Sequence, residues 1–311
     1  MRRKTKYIIT IVILVAIILA LVGGYWCLQQ RGDINATSND DEISKSATQE
    51  SIDALSQAHG TGNILAVTDN KITNIDLENS QQSEQDSSVK SYSTAVSSDG
   101  SIIVLDQKDN LKIWKTDGKE KEIVSANNYN PLPVISPDGK HMLVIAFSNA
   151  ERDFGYKLQI FTTDNEYVRD SASSQSKISS PLWGSDSTVY FASISENGSI
   201  LYKTDTDGSG DKEEILDIDD LFVIDMACAG DMVYFTASSG KNDSNNTNIY
   251  KIIDGKEIAI TTESGIYSDL QTSPDGVWIA YIDGDSILTI RNGETGASYQ
   301  IQKVGHLLGW F

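Results

Sequence analysis

The stretch Ser273-Pro274-Asp275-Gly276-Val277-Trp278-Ile279-Ala280-Tyr281 decides how this chain is read, together with the break at Asp283-Gly284-Asp285, the run Ile287 to Ile290 and the turn at Asn292-Gly293. A short lead-in strand, a tight turn, an apolar run, a polar break and a second apolar run make one antiparallel unit, and a polar fourth strand near Tyr299 to Ile301 completes it. Weaker copies recur back to residue 60. Aligning the turns places Ser97-Ser98-Asp99-Gly100, Ser136-Pro137-Asp138-Gly139, Gly184-Ser185-Asp186-Ser187 and Ala229-Gly230-Asp231 in series before it. A spacing of roughly 40 to 48 residues is the period of propeller blades, each of four strands.

Each turn follows a short run, such as Leu132 to Ile135 or Val223 to Cys228, and precedes a stronger one, such as Met142 to Phe147 or Val233 to Phe235. The stronger runs are apolar almost throughout, as strands buried on both faces are. Third strands follow at Leu111 to Trp114, Leu158 to Phe161, Ile200 to Tyr202 and Ile249 to Ile252. Poorer, polar fourth strands are expected near Glu122 to Val124, Glu214 to Leu216 and Glu257 to Ile260, where an outer edge meets water. Five blades are thus complete. Ile64 and Leu65 begin a second strand that lacks a first, whereas Leu307, Leu308 and Trp310 form a first strand that lacks a second. Joined, they make a sixth blade and close the ring. The fold class predicted is therefore all-β, a six-bladed propeller closed by strands from both ends of the domain.

The Ser-Pro-Asp-Gly turn, the apolar second strand and the third-strand ending Thr204-Asp205-Thr206-Asp207-Gly208-Ser209-Gly210 resemble TolB-type propeller repeats, which also occur in dipeptidyl-peptidase-like proteins. Leu111-Lys112-Ile113-Trp114-Lys115-Thr116-Asp117-Gly118-Lys119 is similar to the end of a WD-type repeat. The resemblance covers about residues 60 to 311 and implies an extracytoplasmic binding ring. It implies neither the extra α/β domain of TolB nor the hydrolase domain of the peptidases, since the corresponding segments are not seen here.

Hydrophobic content of 39% with 13 Tyr and 5 Trp supports a substantial core, and the charge balance is acidic, 44 Asp and Glu against 25 Lys and Arg. Arg2, Arg3, Lys4 and Lys6 take four of those cations, so the remainder is more acidic still. Such a body repels phosphates, which argues against a nucleic-acid partner. Tyr7 to Trp26 runs 20 residues without a charge, enough helix to cross a hydrocarbon core of about 30 Å. The basic residues before it place the N-terminus in the cytoplasm and the rest outside. The expected organisation is a cytoplasmic tail at 1–6, a transmembrane signal-anchor at 7–26, a disordered acidic and Ser-rich stalk at 27–59, and the propeller at 60–311. Within the stalk, Ile52, Leu55 and Ala58 have the spacing of a marginal helical turn or two.

Catalytic signatures are absent: the three histidines, His59, His141 and His306, are scattered, and no Gly-x-Ser-x-Gly elbow, phosphate loop or His-Glu-x-x-His motif occurs. Cys27 and Cys228 have no metal or disulfide spacing. Asp205-x-Asp207-x-Ser209-Gly210 imitates a calcium loop, but Leu216 stands where the closing Glu belongs, so it reads as a hairpin turn. No catalytic residue, metal or cofactor is assigned. Of the loops joining second to third strands, those of the third and fifth blades are longest, and Arg152, Asp153, Phe154 and Tyr156 form the candidate contact site, because Arg and aromatic residues dominate binding hot spots. Packing within the blade is the competing reading of Phe154 and Tyr156. The function expected is a non-catalytic binding or scaffolding module for an envelope or membrane protein, with a surface hydrolase or lyase acting on glycan or peptide as the alternative. Raised-pKa carboxylates at the channel mouth would favour the enzyme; an exposed aromatic patch would favour the scaffold.

Overall fold

The computed structural model describes residues 49–311, apart from 59, 70, 87–88, 118, 126–131, 150–153, 185–187, 207–210 and 242. The expected tail and anchor and most of the stalk lie outside the described residues, within which no helix is long and apolar enough to cross a membrane.

Alternation along the second strands builds the interior. In Asn63–Thr68, Ile64 and Ala66 enter one cluster of buried side chains while Leu65 and Val67 enter another. In Thr188–Ile194, Val189 and Phe191 go one way, and Tyr190 and Ala192 go the other. Successive side chains leave opposite faces of a strand, so a run apolar at every position is buried twice over. Among the described residues there are six four-stranded antiparallel sheets and six buried clusters, each cluster filling the seam between consecutive sheets. The sheets are blades.

Blade 1 holds Asn63–Thr68, Lys71–Asp76 and Gln81–Asp86, with the final strand His306–Trp310 as its innermost member. Blades 2 to 6 begin with inner strands Val89–Val96, Val134–Ile135, Lys177–Trp183, Phe222–Ala229 and Ser268–Thr272. Neighbouring inner strands contact one another all the way round. At the closure Ile64 lies opposite Trp310, Leu65 opposite Gly309 and Ala66 opposite Leu307. Trp310 Nε1 donates to the Thr61 carbonyl at 2.7 Å, and Asn63 N–H donates to the Phe311 carbonyl at 2.7 Å.

The Asp-Gly turns share one set of bonds. Ser273 Oγ donates to Asp275 Oδ1 at 2.5 Å and accepts from Trp278 N–H at 2.9 Å, while Asp275 accepts from Val277 N–H at 3.0 Å. Ser136 and Asp138 repeat the pattern with His141 and Lys140. Gly100, Gly139 and Gly276 hold φ of 76°, 69° and 71°, a region that residues with a Cβ seldom adopt.

Three expectations need correction. The expected stalk does not take in residues 49–57, which form a helix, α1, in which Ile52 and Leu55 are fully buried against Trp278, Ile282 and Trp310 in the seam between blades 6 and 1. Tertiary burial holds a helix too short to persist alone. Fourth strands Gln81–Asp86 and Tyr167–Ser174 were not foreseen, because edge strands facing water carry no apolar period. Phe147, counted within a buried run, is 53% exposed, since the strand His141–Ser148 outruns the blade's packed part.

Candidate functional site

Six inner strands surround a central channel, and they are laced together by side chains at matching places. Bulges interrupt Lys177–Trp183, Phe222–Ala229 and Ser268–Thr272, and at two of them Ser180 and Asp269 hold positive φ of 48° and 53°. A bulge re-aims its side chain, here toward the next strand round the ring. Ser180 Oγ donates to the Ile224 carbonyl at 2.8 Å; Asp225 Oδ2 accepts from Leu270 N–H at 2.7 Å; Asp269 Oδ2 accepts from Leu307 N–H at 3.0 Å. Blades 4, 5, 6 and 1 are thereby tied in sequence.

Where the inner strands end, a cavity of about 340 Å³ is lined from all six, including Val96, Ile135, Trp183, Cys228, Thr272 and Trp310. Toward their starting ends a second cavity, about 460 Å³, has Tyr92, Ser93, Lys177 and Asp225 in its wall. Asp225 is half-buried and lines this cavity. Burial, reinforced by the nearby Asp269, pushes its pKa up to about 7 against the opposing effect of the Leu270 and Met226 N–H donors. His306 Nδ1 lies 3.3 Å from Asp269 Oδ2, and that contact holds the imidazole above its ordinary range. Neither Asp225 nor Asp269 stood out in sequence; their only mark is a polar residue inside an inner-strand run. Among the described residues no three His, Cys, Asp or Glu side chains converge as metal ligands would.

The antiparallel pairing puts the loops between second and third strands at the same end of the ring as Lys177. There, on blade 3, the structure brings Phe154 and Tyr156 together with Phe147, which sequence reading missed. Ring centroids of Phe147 and Phe154 are 5.7 Å apart at 82°, and those of Phe147 and Tyr156 are 4.8 Å apart. Phe154 is 52% exposed. Gln175 Nε2 donates to its carbonyl at 3.0 Å, and a Cβ on Gly155 would meet the Ser174 carbonyl oxygen at 2.7 Å, so Phe154 and Gly155 lie close against the turn that follows Ser174. The register Phe147 opposite Tyr156 was the signal that could have revealed the third ring. Arg152 and Asp153 lie outside the described residues, as does the stretch 207–210 of the calcium-like turn.

Neither a protein-family model nor a curated protein sequence matches the chain. Solved structures do. TolB from Acinetobacter baumannii superposes with a TM-score of 0.60 at 16% identity over 83% of this chain and 70% of that one. A protein assigned as TolB from Agrobacterium tumefaciens gives 0.57 at 14% over 78% and 88%. An oligogalacturonate lyase from Vibrio parahaemolyticus gives 0.51 at 13% over 78% and 79%. At such identities the likeness is one of fold. With its six blades, Asp-Gly turns and end-to-end closure, this chain is a six-bladed β-propeller whose fold is similar to that of TolB.

Proposed function

We propose that the chain is a membrane-anchored, extracytoplasmic propeller acting as a non-catalytic binding or scaffolding module for a cell-envelope protein complex. The observation that carries the binding role is the exposed pair Phe147 and Phe154 at one end of blade 3, with Tyr156, half-buried against the blade's core, in ring contact with Phe147. Large rings held in fixed mutual geometry lose little entropy on contact, and clusters of this kind anchor protein interfaces. The basic start followed by the uncharged run Tyr7 to Trp26 supports a single crossing with the propeller outside. The test is crosslinking of the full-length chain in its native membranes, with a Phe147→Ser, Phe154→Ser double variant in parallel. A reproducible protein partner lost in the variant is the expected result; identical partners for both forms would remove the patch from the interface. Alkaline extraction checks the anchor, which is expected to keep the protein in the membrane pellet.

A second reading, a surface hydrolase or lyase, is favoured by Asp225, since a carboxyl group titrating near neutrality can hold and deliver a proton. An oligogalacturonate lyase has this architecture. Turnover of polyuronate or peptide by the intact chain, abolished in Asp225→Asn, would establish it. Absence of turnover on both substrate classes would leave the binding role.

A further inference from the structure

Asp225 lacks a counter-charge. Its two oxygens accept from Met226 N–H at 2.9 Å and Leu270 N–H at 2.7 Å, and the charge acting on it is that of another acid, Asp269. Facing it are Lys177 and Tyr92 in the same cavity wall, and beyond Asp269 on the next inner strands lies His306. A carboxylate removed from water beside a like charge is costly until a cation reaches it.

A second group in the wall is also unsatisfied. Ser93, on the inner strand of blade 2, is 3% exposed, lines the cavity that Asp225 lines, and its Oγ has no hydrogen-bond partner. Buried hydroxyls nearly always have one. Val134, Leu182 and Met226 supply apolar wall, alongside Ser179 and Ser180, and the cavity of about 460 Å³ leaves room for several methylene groups.

We propose that this cavity is a binding site for an alkylammonium or alkylguanidinium group, whose N–H groups donate to Asp225 and Ser93 while its hydrocarbon lies along Val134, Leu182 and Met226. Cations are the only charged groups that both remedy the wall's deficit and are concentrated by the acidic surface. Lys177 disfavours ligands carrying a second positive charge near it. Seating a cation against Asp225 drives the carboxyl to ionise, so binding near neutral pH releases part of a proton. The site is separate from the aromatic hairpin of blade 3, so its failure would leave the interface reading untouched.

Calorimetric titration of the full chain with butylammonium and butylguanidinium, and with butanol as the neutral control, tests this at pH 7 in two buffers of different ionisation heat. Saturable one-to-one binding is expected, with butanol roughly tenfold weaker or worse, because a charged hydrogen bond is lost. The observed heat should differ between buffers, reporting the released proton. Asp225→Asn should weaken the cation by about tenfold and abolish the buffer dependence, and Ser93→Ala should weaken it by about threefold. Asp225→Asn turns one acceptor into a donor opposite a backbone N–H and can disturb the wall, so the buffer comparison on the unaltered chain stands independently. Cations binding no tighter than butanol, or binding without proton release and indifferent to both substitutions, would overturn the proposal.

Discussion

Within each Asp-Gly turn, one serine, one aspartate and one glycine do separable jobs. At Gly276 the φ of 71° and the crowding coincide: an added Cβ would meet Ala229 Cβ at 3.2 Å, with the Met232 methyl closer. Gly255 has a φ of 69° and nothing within 4 Å. Gly276→Ala is therefore expected to cost about 2 to 3 kcal/mol, against about 1 kcal/mol for Gly255→Ala, as urea-unfolding midpoints would show. Two aspartates should give opposite pH dependence. Asp225, ordinarily ionised above about 4, stays protonated to about 7 in the folded chain. Its contribution is thus full below the unfolded value and lost as pH rises through the folded one. Asp106 runs the other way, because hydrogen bonds led by the Asn110 N–H at 2.9 Å hold it low. What it contributes is present above about pH 4 and is lost on acidification. Relative to the unaltered chain, the stability of Asp225→Asn should rise between pH 5 and pH 8, whereas Asp106→Asn should lose least below pH 4; unfolding midpoints across that range check both.

At the scale of elements, α1 shows how little intrinsic propensity decides. Nine residues cannot hold a helix alone in water, yet Ile52 and Leu55 are wholly enclosed by the seam between blades 6 and 1. Leu55→Ala is expected to lower stability by about 2 to 5 kcal/mol, the range for a large buried aliphatic side chain, measurable as a shift in the thermal midpoint. An exposed stalk residue would give no shift, so the result distinguishes a docked helix from a free linker. The outer strands show the converse. Gln81–Asp86 is mostly exposed along its length and is a strand only because Lys71–Asp76 offers it a complete edge of backbone groups.

For the whole molecule, stability is divided among six seams, and each blade is covered only by its neighbours. Removing one inner strand therefore uncovers two seams. A chain ending at Lys303 lacks Leu307, Leu308 and Trp310, which serve the clusters between blades 6 and 1 and between blades 1 and 2. It is expected to lose a cooperative thermal transition altogether, followed by near-ultraviolet circular dichroism, while Trp310→Ala in the intact chain costs about 3 to 5 kcal/mol. A truncated form melting like the full chain would mean that the ring does not need its last strand.

The sequence by itself determined the blade count, the Asp-Gly turns and the closing pair of strands, because the turns and runs such as Val233 to Phe235 are local patterns repeated at a steady spacing. It also pointed to Phe154 and Tyr156 through loop length. Only the tertiary structure decided that Phe147 joins them, that Ile52 and Leu55 are interior, and that Asp225 meets Leu270 N–H across two strands. Those outcomes depend on which groups from distant parts of the chain face one another. A lone aspartate within an inner strand has one meaning beside water and another inside a ring of six strands, and no local pattern distinguishes the two.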